Sequence, residues 1–198
     1  MTPEGNPSRA RLLQTAADLF YREGIGAVGV DQLCRKAGVS KRSMYQLFAS
    51  KDDLVVASLE EYAQRYLQLY FPEDSHGASP RTLLIRVFQQ LEKNSTNERY
   101  AGCPYVSTAA ELHDPQRMPS QVATRLKKEF TNRFRHLAEL GGAADPETLA
   151  EQLTLLFDGA VIRSAGYGEK LAGLCATTAE VLLDAQGMTD DSPADGRS

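Results

Sequence analysis

Along most of the chain apolar residues recur three and four positions apart, and no stretch alternates apolar and polar residues between glycine-rich turns. That pattern predicts an all-α fold without a sheet. The first helix is expected after Pro7, with Ser8 as N-cap and with Leu12, Leu13, Ala16, Leu19 and Phe20 on one buried face up to Gly24. A short second helix is expected from Val30 to Ala37, entered from Gly29 and ended by Gly38. Ser40 then caps a third helix from Lys41 to about Leu47, and Ser50 caps a fourth from about Lys51 to Tyr70. At 1.5 Å per residue the fourth helix is roughly 30 Å long, enough to link two domains.

The segment PEDSHGAS, Pro72 to Ser79, is a loop by composition, and Ser79 and Pro80 make an N-cap and first-turn pair for a fifth helix carrying Leu84, Val87, Phe88 and Leu91. A sixth short helix is expected from about Pro104 to Leu112, broken by Asp114, Pro115 and Pro119. The seventh is expected from about Ser120 to Leu140, with Val122, Leu126, Phe130, Phe134 and Leu137 as its stripe. Asp145 and Pro146 open an eighth ending near Gly166, and a ninth runs from about Glu169 to Gln186 with Gly187 after it. The acidic, polar end of the chain is expected to be a disordered tail.

Two short helices around a glycine turn form the pattern of a helix-turn-helix. Val30, Leu33, Cys34 and Ala37 give the first of the pair an apolar face, and Val39, Met44 and Leu47 or Phe48 can pack on it from the second. The opposite face of the second holds Lys41, Arg42, Ser43, Tyr45 and Gln46. Arginine reads guanine and glutamine reads adenine in the major groove, so this face suits double-stranded DNA. By pattern alone, a small helical hairpin with a solvated polar face is an equal alternative.

Composition adds limits. The chain has 198 residues and a net charge of −4. Its first 55 residues carry eight basic and six acidic side chains, so positive charge concentrates where the helix-turn-helix lies. No apolar run approaches the ~18 residues of a membrane span, and no secretory signal is visible, so a cytoplasmic location is expected. Cys34, Cys103 and Cys175 lie far apart and have no zinc-ligand spacing, so reduced thiols and no metal are expected. No nucleophile elbow or phosphate loop is present, so neither an enzyme nor a cofactor is expected.

The stretch AGVSKRSMYQLFASKDDL resembles the signature of TetR-family (tetracycline-repressor-like) regulators at Ala37, Gly38, Val39, Ser40, Ser43, Met44, Tyr45, Phe48, Lys51, Asp52 and Leu54. The preceding LLQTAADLFYREGIGAVGV is similar to the family's first helix, with Phe20 and Gly24 as its ending. The resemblance covers about residues 8–55. It implies that Tyr45 and Lys51 contact phosphates, that Ser40 caps the recognition helix, and that Lys41, Arg42 and Gln46 lie nearest the bases. Arg9 and Arg11 would add a basic arm. Two departures bear on the operator read: Gly29 stands where a hydroxyl residue is usual, and Arg42-Ser43 replaces the frequent Gly-Thr pair.

The implied protein is a transcriptional regulator, a repressor binding a palindromic operator as a homodimer and released by a small, largely apolar ligand. The alternative is a ligand-binding helical protein of the same fold that has lost DNA binding. The implied division is an arm at 1–7, the helix-turn-helix domain at 8–52, a ligand-binding and dimerisation domain at 53–187, and a tail at 188–198. Phe88, Tyr105, His113, Phe130, Phe134 and Tyr167 are the candidates for lining the ligand pocket, and Glu111 is expected to face pocket or core. Leu149, Leu153, Leu156, Leu171, Leu174 and Leu182, on the last two helices, are the candidate dimer contacts.

Overall fold

The computed structural model describes residues 6–73 and 77–189. Among these the chain is all-helical: α1 (Pro7–Glu23), α2 (Val30–Ala37), α3 (Lys41–Leu47), α4 (Lys51–Tyr70), α5 (Pro80–Ser95), α6 (Pro104–Leu112), α7 (Met118–Leu140), α8 (Pro146–Val161) with a π-helical turn at Ile162–Gly166, and α9 (Leu174–Ala185). Most of the arm and tail lies outside the described residues. Pro7, however, already belongs to α1, and Met188 is buried, donating its N–H to the Leu183 carbonyl. The tail therefore does not begin at 188.

Three expected boundaries change. Asn6, rather than Ser8, caps α1, its side chain accepting the Ser8 N–H at 3.0 Å. α7 starts two residues early, because Pro119 stands in its first turn, where a missing N–H costs no helical bond. α9 starts at Leu174 instead of Glu169, because Ala172 and Gly173 have φ of 49° and 86°. Left-handed backbone cannot continue a right-handed helix.

Contacts divide the chain into two units: Met1–Gln64 with Pro104–Leu126, and Arg65–Cys103 with Lys127–Ser198. The division therefore falls inside α4 and α7, and differs from the 52/53 boundary drawn from sequence.

The first unit is built on Leu12, Leu13, Ala16 and Leu19 of α1, Leu33, Cys34 and Ala37 of α2, Met44 of α3, and Val28, Phe48 and Leu54 around them. Spacing in the sequence assigns most of these positions to the core; Phe20, expected on the same buried face, is only half-buried, and Val28 and Leu54 join the core from outside that pattern. In the second unit α5 and α8 both pack on α9. Its core is aromatic: Phe88 stacks on Phe134 at 5.8 Å, Phe130 meets Phe134 edge-on at 5.3 Å, and Tyr70 meets Phe157 edge-on at 5.0 Å. Such pairs add roughly 0.5–1.5 kcal/mol each beyond the area they bury. Lys127 lies over the Phe130 and Phe157 rings and forms an ion pair with Asp158 at 2.5 Å within an apolar surround.

Candidate nucleic-acid interface

α2 ends at Gly38, whose φ of 66° turns the chain at once; the Val39 N–H returns to the Cys34 carbonyl at 3.0 Å. Two residues later Ser40 starts α3, accepting the Ser43 N–H at 3.0 Å and sharing a 2.9 Å hydrogen bond with the Ser43 hydroxyl. Met44 of α3 and Phe48 just beyond it are buried against α1 and α2. The helix is thus fixed from one side, and Lys41, Arg42, Tyr45 and Gln46 stand exposed on the other, with Ser43 half-buried.

Each candidate contact has a defined place. Lys41 forms an exposed ion pair with Asp31 at 2.7 Å, and that hydrogen bond raises its pKa. An exposed pair of this kind is worth little and exchanges readily for a phosphate. Arg42 makes no ion pair with a described residue. Tyr45 is 52% exposed, so packing leaves half its ring for a ligand. Arg9 and Arg11 are exposed residues of α1 and not part of an arm; Arg9 lies over the Phe48 ring at 5.0 Å.

Lys51 has partners within the protein. Its ammonium donates to the Ile25 carbonyl and lies 5.9 Å from the centre of the Phe20 ring, and burial lowers its pKa. In this geometry its contact is with the loop between α1 and α2. Gly29 leaves the start of α2 without a side-chain cap, and a Cβ there would meet nothing within 4 Å.

Sequence reading missed the groups that hold this loop. The Glu111 carboxylate, on α6, accepts the Ile25 N–H at 2.7 Å and also the Gly26 N–H. Its side chain also lines a small cavity of about 40 Å3 in this unit, together with Phe20, Ile25, Tyr62 and Thr108. Arg117 makes two bonds to Asp52, at 2.6 and 3.2 Å, and Arg125 reaches Glu60 at 2.8 Å. α6 and the start of α7 are thereby joined to the helix-turn-helix.

The other candidate sites are brought together only in part. Phe88, Phe130 and Phe134 do meet, but as close-packed rings fully removed from solvent. Tyr105 is buried in the first unit. His113 is an exposed residue just past the end of α6, and Tyr167 is 71% exposed beyond the π-helical turn, so neither stands in an enclosed pocket. Leu149 and Leu153 are wholly buried in their own subunit and Leu171 nearly so, which withdraws all three from any surface. Leu156 and Leu182 are half-buried. Leu174 is 58% exposed, with Leu155 and Val181 still more open. Leu155 and Ile162, like Leu174 and Val181, lie seven residues apart.

All three cysteines are buried and free. Burial pushes the Cys34 thiol up and the Cys175 thiol up to about 11, which keeps both protonated and unreactive. Among the described residues no cluster has the ligands for a metal, and no helix is long and apolar enough to cross a membrane.

A donor-rich helix held outward by a capped turn, followed by further helices, defines the class: a helix-turn-helix regulator. Comparison makes this specific. The model for bacterial regulatory proteins of the TetR family matches residues 12–58. A TetR-type transcriptional regulator of Streptomyces avermitilis is 44% identical in its crystal structure, covering 93% of this chain and 100% of its own, with a TM-score of 0.88. A TetR-family regulator of Streptomyces coelicolor is 25% identical over 91% of this chain and 96% of its own, with a TM-score of 0.82. The regulator BetI of Rhizobium meliloti is 26% identical over 160 residues, which are 79% of this chain and 77% of that protein. The chain belongs to the TetR family of DNA-binding transcriptional regulators.

Proposed function

We propose that the protein is a homodimeric repressor whose α3 helices enter successive major grooves of a palindromic operator, and that a small ligand bound in the C-terminal helices releases it. The observation that carries the DNA half is the set Lys41, Arg42, Tyr45 and Gln46, exposed on a helix whose opposite side is anchored by Met44. In this reading Arg42 and Gln46 approach base edges, while Lys41 and Tyr45 meet phosphates. Ser40 and Ser43 fix the helix start, and Arg9 lies near enough to α3, over Phe48, to add a phosphate contact. Lys51 acts through the loop it holds.

A dimer supplies the two-fold symmetry that a palindrome requires. Support comes from Leu155, Ile162, Leu174 and Val181, large apolar side chains left open on the last helices. The seven-residue spacing within each pair places both members on one face, as four-helix packing requires.

Selection of bound sequences from a random DNA pool tests the reading. It should yield a two-fold palindrome whose half-sites lie about one helical turn apart, or a near multiple of it. A pool that is not enriched would favour the alternative, a ligand-binding protein of this fold without DNA binding.

A further inference from the structure

The second unit carries an open cleft of about 210 Å3 where the end of α4, α5 and α7 meet. Phe71, Leu83 and Leu137 give it an apolar wall, and Arg86, Arg133 and His136 line the same space. Spacing puts them there: Leu83 and Arg86 are three apart on α5, and Arg133, His136 and Leu137 follow the three- and four-residue rhythm of one α7 face.

Two arginines from two helices share this cleft. Arg86 and Arg133 are exposed and pair with no carboxylate among the described residues. Arg65 and Arg99 of the same unit do not line the cleft, and they also pair with no carboxylate among the described residues. Arg81, Arg135 and Arg163 of the same unit each have one, in Asp184, Glu147 and Glu169. Arg135, two residues from Arg133, reaches Glu147 at 3.1 Å and Asn132 at 3.0 Å. Two guanidinium groups beside an apolar wall form half of an ion-pair site, and the planar guanidinium fork matches a carboxylate. The volume exceeds the ~150 Å3 apolar cavity that takes up benzene. Glu73, on the same cleft, opposes a second negative charge on the ligand.

We propose that this cleft binds a small monocarboxylic acid with a one-ring or short-chain apolar body. The carboxylate is held between Arg86 and Arg133, and the body lies against Phe71, Leu83 and Leu137. The inference deepens the ligand-responsive reading above by naming a site and a ligand class.

Fluorine NMR of the full-length protein without DNA tests it, with para-fluorobenzoate as probe and the neutral para-fluorobenzamide as its counterpart. The benzoate signal should broaden with a Kd in the ~mM range of a one-ring fragment, and the amide should bind at least about tenfold more weakly. The double variant Arg86→Gln/Arg133→Gln should raise the benzoate Kd about tenfold or more, while Arg135→Gln leaves it unchanged. Equal binding of benzoate and amide, equal binding by the double variant, or no broadening at ~10 mM would overturn the proposal. Operator affinity is measured separately. If benzoate fills the cleft but leaves operator affinity unchanged, the cleft assignment stands and ligand release through it fails.

Discussion

Glu111 shows what one side chain can do from outside the motif it serves. Its carboxylate takes two backbone N–H groups of the loop that leads from α1 into α2, and Lys51 takes the Ile25 carbonyl of the same loop. Glu111→Gln keeps one acceptor and loses the charge, so the helix-turn-helix should lose about 1 kcal/mol of stability in urea unfolding. Gly26→Ala should act similarly, since its Cβ would lie 2.9 Å from a carboxylate oxygen and displace it. If both variants unfolded at the wild-type urea concentration, the carboxylate would be an ornament of the loop and not its support. None of this was legible in the sequence. Residues 25 and 111 are 86 positions apart, and no periodicity links a glutamate on one helix to amides in a distant loop. The same reason hid Asp52 as the partner of Arg117. Residue type alone misled at His113 and Tyr167, whose rings suggested a pocket although their backbone lies past the ends of helices.

At the scale of elements, the sequence was most legible where cap and core are both local. α3, α4 and α5 start where Ser40, Ser50 and Ser79 place them and α2 stops at Gly38, because each of these acts on backbone within a few residues. α9 is the counterexample. Leu171, Leu174 and Cys175 continue a helical rhythm across Ala172 and Gly173, so pattern alone runs the helix through the left-handed pair. Gly173 has no side chain to cap the true start. Glu92 of α5 does so instead, accepting the Cys175 N–H at 2.8 Å and the Ala176 N–H at 3.2 Å. A carboxylate there also opposes the positive end of the helix dipole. Glu92→Ala should cost about 1–2 kcal/mol in urea unfolding, and Glu92→Gln less, since it keeps an acceptor. An alanine variant as stable as wild type would show that α9 needs no cap from α5.

For the whole molecule, two consequences follow from the proposed function. Leu155→Glu combined with Val181→Glu puts charge on two of the most exposed apolar positions of the last helices. Sedimentation should then report monomers, and operator affinity should fall with dimerisation. A surviving dimer would move the interface elsewhere. A ligand that releases the protein must bind the DNA-free state better, and a coupling of ~1–3 kcal/mol lowers operator affinity about 5- to 150-fold. Reciprocity requires operator DNA to weaken the ligand by the same factor. Calorimetric titration of such a ligand with and without operator checks this, and equal affinities would make it a passive occupant.

The central claim is that α3 reads sequence. It is tested most directly by titrating wild type and Arg42→Ala against a selected operator and against operators changed one base pair at a time. Arg42→Ala should lose ~1–3 kcal/mol on the selected operator, and discrimination should collapse at one base pair in each half-site while persisting at the others. If Arg42→Ala binds every sequence as wild type does, or weakens all of them equally with discrimination intact, Arg42 does not read a base and the assignment of this face of α3 is contradicted.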